Sequence, residues 1–121
     1  MATVEGDQPR VRMLAFGFAD ETGFYFQTGS MKEFSHQLEN NPKAEACFYN
    51  SDGMIDSLVC VAGIVEFLTD TGMKEKAMVD RPFLKRFGLT ANSPDLILFR
   101  ISHGQAHYWT MENTLLPKEI I

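Results

Sequence analysis

At 121 residues the chain holds one domain's worth of sequence, without room for a separate cofactor domain beside a substrate domain. Hydrophobic residues at 45% and charged residues at 22% are the balance of a globular protein and exclude disordered, collagen-like and coiled-coil chains. A net charge of −5 removes any general electrostatic reason to bind nucleic acid or an anionic membrane, so a bound anion needs a local cluster of positive groups.

Val4 ends a first short strand before a turn at Gly6-Asp7. Arg10 to Ala19 then reads as one strand, with Arg10, Arg12, Leu14, Phe16 and Phe18 sharing a face. Asp20 to Gly23 supplies turn chemistry and Phe24 to Thr28 is rich in aromatic strand formers, which predicts an antiparallel hairpin. Ser30 followed by Glu33 fits a capping box, with a helix over Met31 to Glu39 that Asn40-Asn41-Pro42 stops. Ala44 to Tyr49 resumes strand composition, and Ser51-Asp52-Gly53 is the next turn.

Ile55 to Leu68 is apolar on both faces, which predicts a strand covered by the core on one side and by a partner subunit or ligand on the other; Gly63 suggests a bulge or close approach. Its longest apolar run, Leu58 to Val65, has eight residues, against the roughly 20 that cross a bilayer. A short helix over Gly72 to Asp80, carrying lysines on a solvated face, is interrupted by Arg81-Pro82; one further turn over Phe83 to Phe87 ends at Gly88. Asp95 to Ile101 and Gln105 to Thr110 flank Ser102-His103-Gly104 as a second hairpin ending near Trp109. About six strands with two or so helices predict a mainly β protein, an antiparallel β-barrel with peripheral helices.

The N-terminus has neither a basic start nor an apolar run, so a cytoplasmic location is expected. Cys47 and Cys60 lie in strand-like runs without metal-ligand spacing and are expected as buried, reduced thiols. His103 and His107 are separated by Gly104 and a strand, so no metal site is expected, and the hydrolase, zincin, P-loop and dinucleotide motifs are missing. The lone carboxylates Asp56 and Glu66 read as surface residues.

What stands out is a set of anion-binding parts. Pairing through the Asp20–Gly23 turn brings Arg12 near Thr28, Ser30 and Lys32 at a helix start, where a phosphomonoester would meet a guanidinium, an ammonium, hydroxyls and free N–H groups. The bland alternative is that Ser30 merely caps, Lys32 is solvated and the arginines pair with carboxylates.

GDQPRVR at 6–12, FYFQTGSMKEF at 24–34 and LENNPKAEACFY at 38–49 resemble the pyridoxamine 5′-phosphate oxidase-like FMN-binding split β-barrels, in particular the short, nitroimidazole-resistance-like bacterial members. The resemblance implies a six-stranded antiparallel split barrel over residues 1–121. It also implies FMN in a groove of a homodimer, which would give the doubly apolar strand its second cover. Carried over residue by residue, it implies a flavin phosphate held by Arg12, Thr28, Ser30 and Lys32, with Arg10 as a secondary contact. Backbone of Met13 and Leu14 would face the flavin ring, and Trp109 would lie near it.

A flavoprotein oxidoreductase acting on a small molecule follows, with NADH or NADPH as donor; its rivals are a non-catalytic flavin store or sensor, or a barrel that uses deazaflavin or haem. The sequence departs from the family at Gly17, where many oxidases carry a basic residue, and at Leu58, where they carry a polar flavin contact. Ending just after the Trp109 segment without the arginine-rich C-terminal stretch, it is not expected to oxidise pyridoxamine phosphate. Family members also usually open with a helix ahead of the first strand, and here Met1 lies almost on that strand.

Overall fold

The computed structural model describes residues 1–50, 57–113 and 115–121. Eight antiparallel strands form one sheet among them: β1 (Ala2–Glu5), β2 (Gln8–Val11), β3 (Phe16–Asp20), β4 (Gly23–Gly29), β5 (Lys43–Asn50), β6 (Ser57–Leu68), β7 (Leu96–Thr110) and β8 (Glu119–Ile120). The helices are α1 (Glu33–Asn40), α2 (Thr71–Asp80) and a 3₁₀ segment, Pro82–Phe87, closed by left-handed Gly88. The expected turn at Ser51-Asp52-Gly53 and the start of the long strand at Ile55 lie outside the described residues. No described helix is long and apolar enough to cross a membrane.

The strand order β2-β1-β5-β6-β7-β4-β3 puts β2 and β3 at opposite ends of the sheet, although only Arg12 to Ala15 separate them in the chain. Four linking residues span at most roughly 17 Å, so the sheet has to curl until its two edges nearly meet. The result is a barrel with a slit, and residues 12–15 cross that slit. The expected continuous strand from Arg10 to Ala19 is therefore broken in two, and Arg10 and Arg12 no longer share one strand face.

The β3–β4 hairpin forms as expected, with Asp20 opposite Gly23. The second expected hairpin does not form. Residues 96–110 run as one strand, and both halves pair with β6: Leu98 to Ile101 with its end and Gly104 to Thr110 with its start. The Ser102-His103 pair is an inserted bulge rather than a turn, opposite the register shift at Gly63–Val65. Gly104, at φ +154°, permits the close pass, since an added Cβ would lie 1.9 Å from the Ala62 carbonyl oxygen.

The core between sheet and α1 holds Phe26, Phe34, Leu38, Val61, Phe99 and Ile101. Cys47 and Cys60 correct the sequence expectation. They face each other directly across β5 and β6, with Cα atoms 4.0 Å apart and their sulfurs bonded. Neither is buried, because alternation along β5 sends Cys47 outward with Lys43, Glu45 and Tyr49. Lys76 is also more engaged than a solvated face implies: it pairs with Asp80 at 3.1 Å and lies 4.3 Å from the Phe18 ring centroid.

Glu66 and Arg100, opposed across β6 and β7, form an ion pair at 2.9 Å, and Ser102 donates its hydroxyl to the same carboxylate. The Ser102 hydrogen bond first, then Arg100, hold the Glu66 carboxyl below its ordinary value of 4.5. The stability this adds is complete above the ordinary glutamate range and lost as pH falls through the lowered folded value. Melting temperatures measured from neutral pH downward should fall less steeply in Glu66→Gln than in the wild type; parallel curves would assign the acid sensitivity elsewhere.

Candidate functional site

A cavity of about 390 Å³ opens beside the slit. Met13, Leu14 and Ala15 of the crossing segment form one wall, and Gln27 to Gly29 at the end of β4 form another. Met31 and Lys32 at the mouth of α1, Asp95 ahead of β7, and Phe83, Leu84, Phe87 and Leu89 from the 3₁₀ region complete it. A larger, shallow groove of about 630 Å³ runs between α2 and the 3₁₀ segment. Its walls are mostly apolar side chains with Glu75 and Lys85 at the edge, and none of its residues is a buried polar group without a partner.

The slit cavity has two such groups. Thr28 is 6% exposed and Gln27 4% exposed, and neither Thr28 Oγ1 nor Gln27 Oε1 has a hydrogen-bond partner among the described residues. Leaving a buried acceptor or donor unmet costs about 1–3 kcal/mol; both atoms lie beneath the cavity surface, with Gln27 Oε1 beside Gly17 of β3. Lys32 stands at the N-cap of α1 in extended geometry, and its ammonium makes no ion pair among the described residues. Ser35 and His36 are the first to donate to its carbonyl, so the N–H groups of Glu33 and Phe34 precede the helical ladder.

The structure separates the remaining expected residues. Arg12 lies over the Phe34 ring at 4.5 Å, donates to Thr3 Oγ1 at 2.8 Å and to Gln37 Oε1 at 2.5 Å, and meets no carboxylate among the described residues. It sits against the first turn of α1, next to Met13 but outside the cavity wall. Burial lowers its pKa from the ordinary arginine value, as it does for the Met1 amine that donates to the Arg12 carbonyl.

Arg10 is turned outward to Glu5 at 2.9 Å. Ser30 does not cap α1; its hydroxyl and its N–H both go to Asp95, at 2.8 and 2.9 Å. That places a carboxylate at the cavity's edge, where the sequence offered a hydroxyl. Trp109 opposes Leu58 across β6 and β7 and does not line the cavity. Gly17 can hold no side chain, since a Cβ there would come within 2.5 Å of the Tyr25 carbonyl oxygen.

Gln27, Asp95, Phe83 and Phe87 are wall residues that the sequence reading missed. Gln27 left a trace, as a lone amide directly after the aromatic run Phe24-Tyr25-Phe26. The other three come from chain segments more than fifty residues away from Thr28, and nothing local announces them.

A mainly β, antiparallel split barrel with a polar-ended apolar cavity at its slit is the class of protein these features define. The chain belongs to the pyridoxamine 5′-phosphate oxidase family, whose family model matches residues 1–110. Among solved structures it is similar to a NimC/NimA family protein from Clostridium acetobutylicum, with 26% identity, a TM-score of 0.82, and coverage of 99% of this chain and 81% of that one. It is also similar to general stress protein 26 from Bacillus anthracis (21% identity, TM-score 0.78, 99% and 85% covered). A heme binding protein from Mycobacterium smegmatis shares the fold at 13% identity and a TM-score of 0.74, covering 99% of this chain and 50% of that one. No curated protein sequence matches the chain.

The cavity fits a flavin mononucleotide in its donor set. The Lys32 ammonium and the open N–H groups of α1 suit an anionic end such as a phosphate, while the Asp95 carboxylate in the same wall opposes one. Aromatic and aliphatic walls suit a flat ring system.

Proposed function

We propose that the protein binds FMN non-covalently in the slit cavity and works as an oxidoreductase on a small molecule, with a reduced nicotinamide as electron donor. The observation that carries this reading is an apolar cavity with Lys32, which makes no ion pair among the described residues, at the mouth of α1 and Asp95 at its edge. Bound flavin would supply hydride and electron transfer, so the chain need provide no acid or base of its own. Lys32 and Thr28 would hold the phosphate, and the Met13–Leu14 backbone would lie along the ring. Phe83, Leu84 and Leu89 would keep water from that side.

The cavity's rim is apolar and uncovered: Met13 is fully exposed, Phe87 76% and Met31 67%. A second copy of the chain over this rim would bury it, which supports a homodimer that shares the flavin sites. Haem is the weaker reading, since the polar groups in the wall are those of a phosphate and amide site rather than an iron ligand set.

The first test is the absorption spectrum of the purified protein and a titration with FMN. Uptake of one FMN per chain is expected, with Thr28→Val and Lys32→Met each raising Kd by about tenfold, the scale of one charge-assisted contact. Failure to take up FMN would reject the cofactor, and unchanged titrations in both variants would reject the site. Bleaching by NADH or NADPH and recovery with an acceptor separates an enzyme from a flavin store.

A further inference from the structure

Outside the cavity, the outer face of β5 and β6 brings together the two cysteine sulfurs and one carboxylate. Cys47 and Cys60 are register partners, and the donor atoms of Glu45, Cys47 and Cys60 all lie within 4.8 Å of one another. Glu45 stands two residues before Cys47, so the pleat sends both side chains to the same face. His107, half-buried on β7, is the register partner of Cys60 on its other side. Cys47, Cys60 and His107 therefore occupy one row of register positions across three strands, with Glu45 a step along β5; the His107 ring lies outside the 4.8 Å cluster and must turn toward Cys60 to reach it.

We propose that Cys47 and Cys60 are a reversible dithiol whose reduced form, with Glu45 and His107, binds a thiophilic divalent cation, zinc being the natural occupant, and whose disulfide form closes that site. Exposure of Cys47 is what makes the bond open to thiol exchange. Reduction by an external dithiol breaks the S–S bond, moves two electrons and two protons onto the two cysteine sulfurs, and leaves the reductant as a disulfide. Metal binding then displaces both thiol protons to solvent as two metal–sulfur bonds form. With zinc–sulfur bonds of about 2.3 Å, tetrahedral geometry sets the sulfurs roughly 3.8 Å apart, a distance that opposed side chains on neighbouring strands reach by rotation. Two thiolates, a carboxylate and an imidazole are a complete four-ligand set for zinc.

The experiment compares the whole chain, aerated or reduced with a phosphine that is then removed without oxygen, in competition with a chromophoric zinc chelator. The aerated protein should show no titratable thiol and hold no zinc. The reduced protein should show two thiols and take one equivalent. Glu45→Gln should weaken the reduced site about tenfold, and Cys47→Ser should abolish it, with circular dichroism confirming the fold of each. Zinc uptake that is absent after reduction, equal in the aerated protein, or undiminished in Cys47→Ser would overturn the proposal. Should a variant not fold, the comparison of the two redox forms of the wild type decides alone.

Discussion

Gly104→Ala is expected to destabilise the protein by about 3–5 kcal/mol, in the range reserved for clashes that the surroundings cannot relax. The added methyl group would stand 1.9 Å from the Ala62 carbonyl oxygen and 2.9 Å from the Gly63 Cα, both backbone, in a residue held at φ +154°. Relief requires β6 and β7 to part where both strands lie over the core residues Val61 and Ile101. For a chain of this length the loss corresponds to a melting temperature lower by roughly 10–20 °C. Gln105→Ala, one residue on and exposed, should change it little. Equal melting of the two variants would show that β7 does not pass β6 in this register.

That position also explains why half of the molecule's organisation was hidden in the sequence. Ser102-His103-Gly104 has turn composition, and a hairpin was the natural local reading. What decides otherwise is β6, an unbroken partner of twelve residues that pairs with both halves of β7. A local signal cannot see a partner forty residues upstream. The Asp20–Gly23 hairpin and the Arg81-Pro82 break with its left-handed Gly88 were legible because each is settled within a few residues. The cysteines lie between these cases. The polar alternation of Lys43, Glu45 and Tyr49 already marked Cys47 as outward, but only the β5–β6 register places Cys60 opposite it.

The site divides in the same way. Met13, Leu14, Thr28 and Lys32 meet at one cavity because the β3–β4 hairpin and the start of α1 are contiguous in sequence. Ser30 leaves its capping role because Asp95, sixty-five residues on, takes both its hydroxyl and its N–H. The phosphate reading thus gains a neighbouring carboxylate that composition could not reveal. Its consequence is directional: a negative group at the cavity's edge opposes a doubly charged ligand, so the affinity rests more heavily on Lys32.

Arg12→Ala is expected to cost about 2–3 kcal/mol of stability, before any effect on a ligand is counted. Its guanidinium ties Thr3 of β1 to Gln37 of α1, side chains only 2% and 5% exposed, and covers the Phe34 ring. Removing it takes from Thr3 Oγ1 its donor and from Gln37 Oε1 one of two, in a place where water enters poorly. Arg12→Lys keeps the positive charge but not the fork that reaches both partners at once, so it should recover only part of the stability. The two variants separate the roles. If Arg12 serves FMN through its charge, Arg12→Lys should retain flavin affinity while melting below the wild type. If Arg12 serves only by fixing β1 against α1, affinity should fall in step with stability in both variants, as read by FMN titration beside thermal unfolding. Wild-type melting of Arg12→Ala would mean that the Thr3–Gln37 contact stands without it, and the anchoring role would be lost.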